Sequence, residues 1–89
     1  MSCVELVVRG RVQGVGFRRF VQRRAQEHHV SGTVRNLADG GVEVLAEAPA
    51  PQLHAFVEAV RKGPAHARVD EVIESWADAP ERYRGFDIR

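Results

Sequence analysis

The stretch VELVVRGRVQGVGFR, residues 4–18, contains the end of a predicted strand and the start of a predicted helix. Residues Val4 to Arg9 are rich in β-branched side chains, which favours a strand. The apolar face of the helix that follows consists of Phe17, Phe20, Val21, Ala25 and His28. Three glycines lie in the connection. Because glycines let backbone N–H groups converge and a helix start adds unpaired N–H donors, this segment is suited to binding a phosphate.

A β-hairpin is predicted next along the chain. Residues 31–37 and 42–47 read as two strands, and Ala38-Asp39-Gly40-Gly41 between them is typical of a turn. The first of these strands ends close to Asn36. The hairpin therefore places an amide side chain near a strand end.

The second half of the chain predicts a helix and two strands. The helix is expected to begin at Pro49–Pro51 and to stop at Gly63-Pro64, with Leu53, Phe56, Val57 and Val60 on its apolar face. A strand is expected over residues 68–76, and its imperfect alternation indicates a bulge. Residues 83–89 predict a short closing strand. Phe17, Phe20, Phe56 and Trp76 are expected in the core.

This element order, β-α-β-β-α-β with a short terminal strand, predicts one domain over residues 1–89. The expected fold is an α+β, ferredoxin-like α/β sandwich, with an antiparallel sheet and both helices on one face. In that topology the first and second strands run in the same direction. The glycine-rich loop and Asn36 both come late in these strands, so they can lie at the same edge of the sheet. An amide would then lie near a phosphate cradle.

The charge is distributed unevenly along the chain. Residues 1–36 hold seven arginines and two acids, a net +5, whereas residues 37–89 hold six basic and ten acidic residues, a net −4. This pattern is compatible with an anion site in the first half and equally with a solvated charged surface. Arg11, Arg19, Arg23 and Arg35 are expected to be surface charges that raise the local anion concentration.

Composition also limits location and cofactor chemistry. No apolar run approaches the ~18 residues that cross a bilayer, and the N-terminus lacks the pattern of a signal peptide. A single cysteine, Cys3, predicts a reducing cytoplasm. Because His29, His54 and His66 lack the spacing of metal ligands, no metal site is expected.

Two motifs carry a resemblance to a known family. Gly10-Arg11-Val12-Gln13-Gly14-Val15-Gly16-Phe17-Arg18 is followed by Gly32-Thr33-Val34-Arg35-Asn36-Leu37, with Asp39-Gly40 after it and Gly63-Pro64 and Val69 further on. Together they resemble the acylphosphatase family over nearly the whole chain. The first motif is not a Walker A loop, because no Gly-Lys-Ser/Thr follows it.

The resemblance implies a hydrolase that cleaves acyl phosphates to a carboxylate and inorganic phosphate. It implies that Arg18 and the backbone of the loop, at Gln13, Gly14, Val15, Gly16 and Phe17, hold the phosphoryl group. It further implies that Asn36 positions the attacking water, without a metal, an organic cofactor or a phosphoenzyme. The expected partner is a small-molecule acyl phosphate bound by a monomer, with neither nucleic acid nor membrane involved.

The residues themselves suit this chemistry. An acyl phosphate has a good carboxylate leaving group, and phosphoryl transfer depends mostly on positioning and charge stabilisation. An asparagine is no base, but its carbonyl oxygen can orient a water. If a phosphate oxygen takes the proton, the rate is expected to be nearly flat between about pH 5 and 8.

Two positions depart from the family pattern, and two other functions stay open. Thr33 stands where an aromatic residue is common and Ala48 where a glycine is common, so both bear on efficiency. One alternative is a non-catalytic module that binds acyl or carbamoyl phosphate. The other is an RNA-binding ferredoxin-like domain, although the first and third predicted strands lack the aromatic residues that stack bases.

Overall fold

Five strands form a single sheet in the computed structural model, which describes residues 1–89. The elements are β1 (Ser2–Arg11), α1 (Phe17–Glu27), β2 (Ser31–Asn36), β3 (Val42–Ala48), α2 (Ala50–Lys62), β4 (Arg68–Asp78) and β5 (Phe86–Ile88). Their spatial order in the sheet is β4-β1-β3-β2-β5. The pairs β1–β3, β1–β4 and β2–β3 are antiparallel. The predicted ferredoxin-like sandwich is therefore confirmed.

The closing strand differs from the prediction in length and direction. It covers Phe86–Ile88 instead of residues 83–89, and it pairs with β2 in parallel. The reason is where β4 ends: Asp78 lies beside Ser2, at the end of the sheet where β2 begins. A chain that crosses from there to the far edge can only run along β2 in the same direction.

The predicted bulge lies in β4, opposite the end of β1. Arg9 pairs with Glu71 and Gly10 with Val69, so Asp70 is an extra residue. Gly10 has a φ of +135°, and a Cβ there would lie 2.1 Å from the carbonyl oxygen of Arg68. Only glycine permits this close approach of two backbones at the base of the phosphate-binding segment.

A single hydrophobic core fills the space between the sheet and the helices. In β1 the residues buried against the helices alternate, at Val4, Leu6 and Val8, because every second side chain faces the helices, and Cys3 is buried on the other face. Phe17 and Phe56 are fully buried as predicted. Phe20 and Trp76 were also expected in the core, but they are partly buried and pack against its edge. His28 is half-buried at the end of α1.

Strand register brings the two motifs to one end of the sheet. Val42 pairs with Val8 on one side and with Asn36 on the other, so the end of β1 and the end of β2 are neighbours. The predicted common edge is confirmed. Thr33 faces the side of the sheet opposite Asn36, and Ala48 lies at the other end of β3. Both departures from the family pattern are thus away from this edge.

Candidate active site

The start of α1 presents backbone donors with no competing acid. Gly16 caps the helix with φ 76°, and no side chain hydrogen-bonds to this cap. No acidic residue lies in the first turn. Because the first N–H groups of a helix have no intrahelical partner, this turn carries unpaired donors and a partial positive charge. Gly14, with φ 74°, adds a second left-handed position that turns the loop toward the helix.

These donors open into a cleft of about 250 Å³ between the loop and the ends of β2 and β5. Its walls consist of Val12, Gly14, Gly16, Phe17, Arg18, Arg19, Asn36 and Ile88. The cleft therefore unites Arg18 with Asn36, the two side chains singled out in the sequence. It also includes three of the five residues predicted to bind phosphate through the backbone.

Arg18 is held from one side only. Its Nη1 donates to the backbone oxygen of Arg89 at 2.9 Å. The N–H of Arg89 in turn donates to the carbonyl oxygen of Val34 at 2.8 Å, which ties Arg89 to β2. No Asp or Glu side chain pairs with Arg18. A backbone oxygen therefore orients the guanidinium, and its remaining N–H donors are available to an anion.

Asn36 contributes an acceptor without a partner. The residue is half-buried, and its Oδ1 is fully shielded from solvent with no hydrogen bond from the protein. Its side chain is on the same face of the sheet as Val34, which is fully buried against the helices. A buried polar atom without a partner costs free energy, so a native structure that keeps one calls for an explanation.

The cleft is electropositive because it contains two arginines and no acid. Arg19, expected to be a surface charge, forms part of the wall. The nearby acid Asp39 is occupied elsewhere: the N–H of Gly41 and the Nη1 of Arg9 both donate to it. These bonds, the one from Gly41 first, hold the pKa of Asp39 below its ordinary value.

Gln13 and Val15 differ from the other predicted phosphate-binding residues, since neither lines the cleft. Val15 packs against the hydrophobic core. The Nε2 of Gln13 donates to the carbonyl oxygens of Leu37 and Gly41, each at 2.8 Å. Its side chain therefore connects the loop to the hairpin.

Sequence reasoning missed the contribution of the C-terminus. Ile88, 39% exposed, lines the cleft, and Arg89 holds Arg18. The strand over these residues was predicted, but its parallel pairing was not. A strand parallel to β2 has its last residues beside Asn36, so that pairing is the signal that would have identified them.

Two structural features bear on cofactors and membranes. No group of three or more His, Cys, Asp and Glu side chains is arranged to hold a metal ion. Neither helix has the length and apolarity needed to span a bilayer.

Comparison with known proteins gives one consistent result. The family model described as acylphosphatase matches residues 4–88. An acylphosphatase of Salinibacter ruber is 49% identical over 82 residues, covering 92% of this chain and 86% of the relative. The crystal structure of acylphosphatase from Bacillus subtilis covers 100% of this chain and 99% of its own, with 42% identity and a TM-score of 0.96.

A second structural likeness is to part of a larger protein. The crystal structure of HypF from T. kodakarensis matches with 37% identity and a TM-score of 0.87, covering all of this chain but 12% of that one. The fold and sequence are thus found both free-standing and within a longer chain. On the family match and the full-length relatives together, this chain belongs to the acylphosphatase family and is an enzyme that hydrolyses acyl phosphates.

Proposed function

We propose that the cleft hydrolyses the carboxyl–phosphate bond by direct attack of a water on phosphorus. In this mechanism Arg18 and the backbone of residues 13–17 hold the phosphoryl group, and Asn36 positions the water. The support is that one cleft contains both side chains together with the start of α1. No covalent phosphoenzyme is formed.

Charge stabilisation falls to Arg18 and the helix start. The charge that spreads over the equatorial oxygens in the transition state meets a guanidinium and unpaired N–H donors. The backbone oxygen of Arg89 orients the guanidinium and leaves its other N–H donors free. The donors are therefore in place before the substrate arrives, so little reorganisation is needed during the reaction.

The unpartnered Oδ1 of Asn36 is the observation that carries the proposal. A carbonyl oxygen accepts a hydrogen bond from water and turns a water lone pair toward a neighbouring electrophile. Because Oδ1 is shielded from solvent in this conformation, the mechanism has the Asn36 side chain turn toward the cleft, where the water becomes its partner. A purely structural Asn36 would have its oxygen bonded to the turn, as Asp39 has.

The proposed hydrolysis needs no general base from the protein. The water oxygen bonds to phosphorus, the bond from phosphorus to the acyl oxygen breaks, and its electron pair leaves as the carboxylate. A phosphate oxygen takes the proton of the water. No histidine lines the cleft, so the rate is expected to be nearly flat from about pH 5 to 8.

The cleft also limits the substrate. At about 250 Å³, with Val12, Phe17 and Ile88 as its apolar walls, it suits a small-molecule acyl phosphate. We further propose that the protein acts as a monomer. The free, buried thiol of Cys3 agrees with a reducing cytoplasm.

Hydrolysis of benzoyl phosphate in ¹⁸O-labelled water, with a chelator present, tests the proposal. We expect the label in inorganic phosphate and none in benzoate, with a rate that the chelator does not change. Asn36→Ala is expected to lower kcat about 100-fold, because the water loses its orientation. The inhibition constant of inorganic phosphate should stay within about threefold, since Arg18 and the loop are intact.

Three results would contradict the mechanism. Label in benzoate would mean attack on the carbonyl carbon. A bell-shaped pH profile with a histidine-like pKa would mean general base catalysis. Phosphate binding without turnover would favour the non-catalytic module.

A further inference from the structure

Gln13 makes two hydrogen bonds that the proposed chemistry does not use. Its Nε2 donates both protons, one to the carbonyl oxygen of Leu37 and one to that of Gly41, each at 2.8 Å. Among residues 12–17 it alone makes side-chain hydrogen bonds. The two carbonyls are 24 and 28 residues away along the chain. These bonds therefore join two distant segments.

The acceptors of Gln13 are the two ends of the hairpin turn that follows Asn36. The N–H of Leu37 donates to the carbonyl oxygen of Gly41 at 2.8 Å. The N–H of Gly40 donates to the carbonyl oxygen of Leu37 at 3.2 Å. The amide of Gln13 thus bonds to the same two carbonyls that close the turn. The planar NH₂ group fixes the direction of both hydrogen bonds, so it restricts the orientation of the turn as well as its distance from the loop.

Apart from the ion pair of Arg9 with Asp39 at the end of β1, the bonds of Gln13 are the only side-chain hydrogen bonds that join this segment to the hairpin turn. Gly14 and Gly16 adopt left-handed conformations, and a Cβ on either would meet nothing within 4 Å. Asn36 is adjacent to Leu37, so any displacement of the turn moves the amide that faces the cleft. A reacting geometry displaced by about 1 Å can cost on the order of 100-fold in rate.

We propose that Gln13 is a positioning residue that sets the distance between the phosphate-binding loop and Asn36. The inference rests on the proposed function, because it assigns to Gln13 the alignment of a water-orienting Asn36 with a phosphoryl group held by the loop. The Gln13 side chain lies outside the cleft wall and points to the hairpin turn instead.

The test compares Gln13→Leu and Gln13→Glu with Gln52→Leu. Leucine removes both donors, and glutamate keeps the shape of the side chain but has no donor when ionised. Gln52 is the matched control, since it is half-buried and donates to the carbonyl oxygen of His28, also 24 residues away but outside the cleft. With benzoyl phosphate we expect both Gln13 variants to lose about 10- to 100-fold in kcat. Their phosphate inhibition constants should stay within about threefold, and Gln52→Leu should keep its kcat.

A double-mutant cycle with Asn36→Ala separates positioning from general destabilisation. If Gln13 acts through Asn36, then Gln13→Leu costs less than about threefold in kcat once Asn36 is alanine. Equal losses in both backgrounds would overturn the inference, as would wild-type kcat in Gln13→Glu.

A spectroscopic measurement distinguishes failure of this inference from failure of the proposed function. The side-chain ¹⁵N–¹H₂ signals of Asn36 are expected to shift in Gln13→Leu and to stay unchanged in Gln52→Leu. Unchanged signals in Gln13→Leu would refute the positioning role alone. Full activity in Asn36→Ala would instead refute the proposed function.

Discussion

The two ends of the sheet use backbone N–H groups in opposite ways. At one end the N–H groups of Arg82 and Tyr83 donate to Oε1 of Glu47, at 2.7 and 2.6 Å. Glu47 is 1% exposed, and its Oε2 accepts from the thiol of Cys3 at 3.9 Å. At the other end the N–H groups at the start of α1 and the guanidinium of Arg18 have no Asp or Glu side chain as a partner.

The difference separates stability from function. Where the chain supplies its own acid, the loop at residues 79–85 is fastened to the sheet and the two N–H donors are already used. Where the chain places no acidic side chain, the donors stay free for an external anion. The unpaired donors lower the stability of the fold, and the rest of the structure must offset that loss. Substitutions that act on one end only can test this contrast.

The largest effect is expected for Arg18→Gln. Losing two charge-assisted hydrogen bonds to the phosphoryl group, at roughly 1.5–3 kcal/mol each, lowers kcat/KM by about a thousandfold. The free energy of unfolding should change little, since the only hydrogen-bond partner of the Arg18 side chain is one backbone oxygen. Steady-state kinetics and chemical denaturation measure the two quantities. Arg23→Gln, exposed on the same helix, is the control and should keep its activity. An active Arg18→Gln would remove the distinction between the two ends.

The second-largest effect is expected for Glu47→Leu, which should lower stability and leave activity unchanged. Two backbone donors then lose a buried acceptor, which lowers the free energy of unfolding by about 2–4 kcal/mol. We expect kcat/KM for benzoyl phosphate to stay within about twofold, because Glu47 is at the far end of β3. The control is Glu43→Gln, on the same strand, which breaks an exposed ion pair with Arg35 and should cost much less. Equal stability losses would show that the closed end does not depend on its buried acid.

The smallest effect concerns Asp39, an exposed acid that also accepts from a backbone N–H. Bonds from Gly41 and Arg9 lower its pKa below the ordinary 3.8. The carboxylate therefore stabilises the fold above that pH, and the contribution is lost as the pH falls through the lower folded value. Asp39→Asn should destabilise slightly at pH 7 and not at all in strong acid, as measured by thermal unfolding at a series of pH values. A difference that persisted in acid would mean that the charge of Asp39 is not its source.

Much of the fold follows from local patterns. The apolar spacing of Leu53, Phe56, Val57 and Val60 predicts α2, and all four are buried. The imperfect alternation of β4 predicts its bulge, which lies at Asp70. Such patterns are readable because periodicity and turn residues act within a few positions of one another.

The candidate site could be predicted only where a motif marks it. Arg18 and Asn36 were expected at one edge of the sheet, and both line the cleft. Arg19 is exposed, as expected of a surface charge, but nothing in its neighbours along the sequence shows that it also lines the cleft. Glu47 is one of twelve acidic residues in the sequence. Only the loop that packs over it and donates two N–H groups distinguishes it from the others.

The order of helices and strands and the meeting of the two motifs were determined by the sequence alone, since both depend on short-range periodicity and on a sheet topology with few alternatives. Tertiary structure decided the rest: the parallel direction of β5, the bond from Arg18 to Arg89, and the two bonds from Gln13 across the hairpin. Each of these joins residues at least 24 positions apart along the chain. Such partners are chosen by strand register and packing, and no local pattern encodes them.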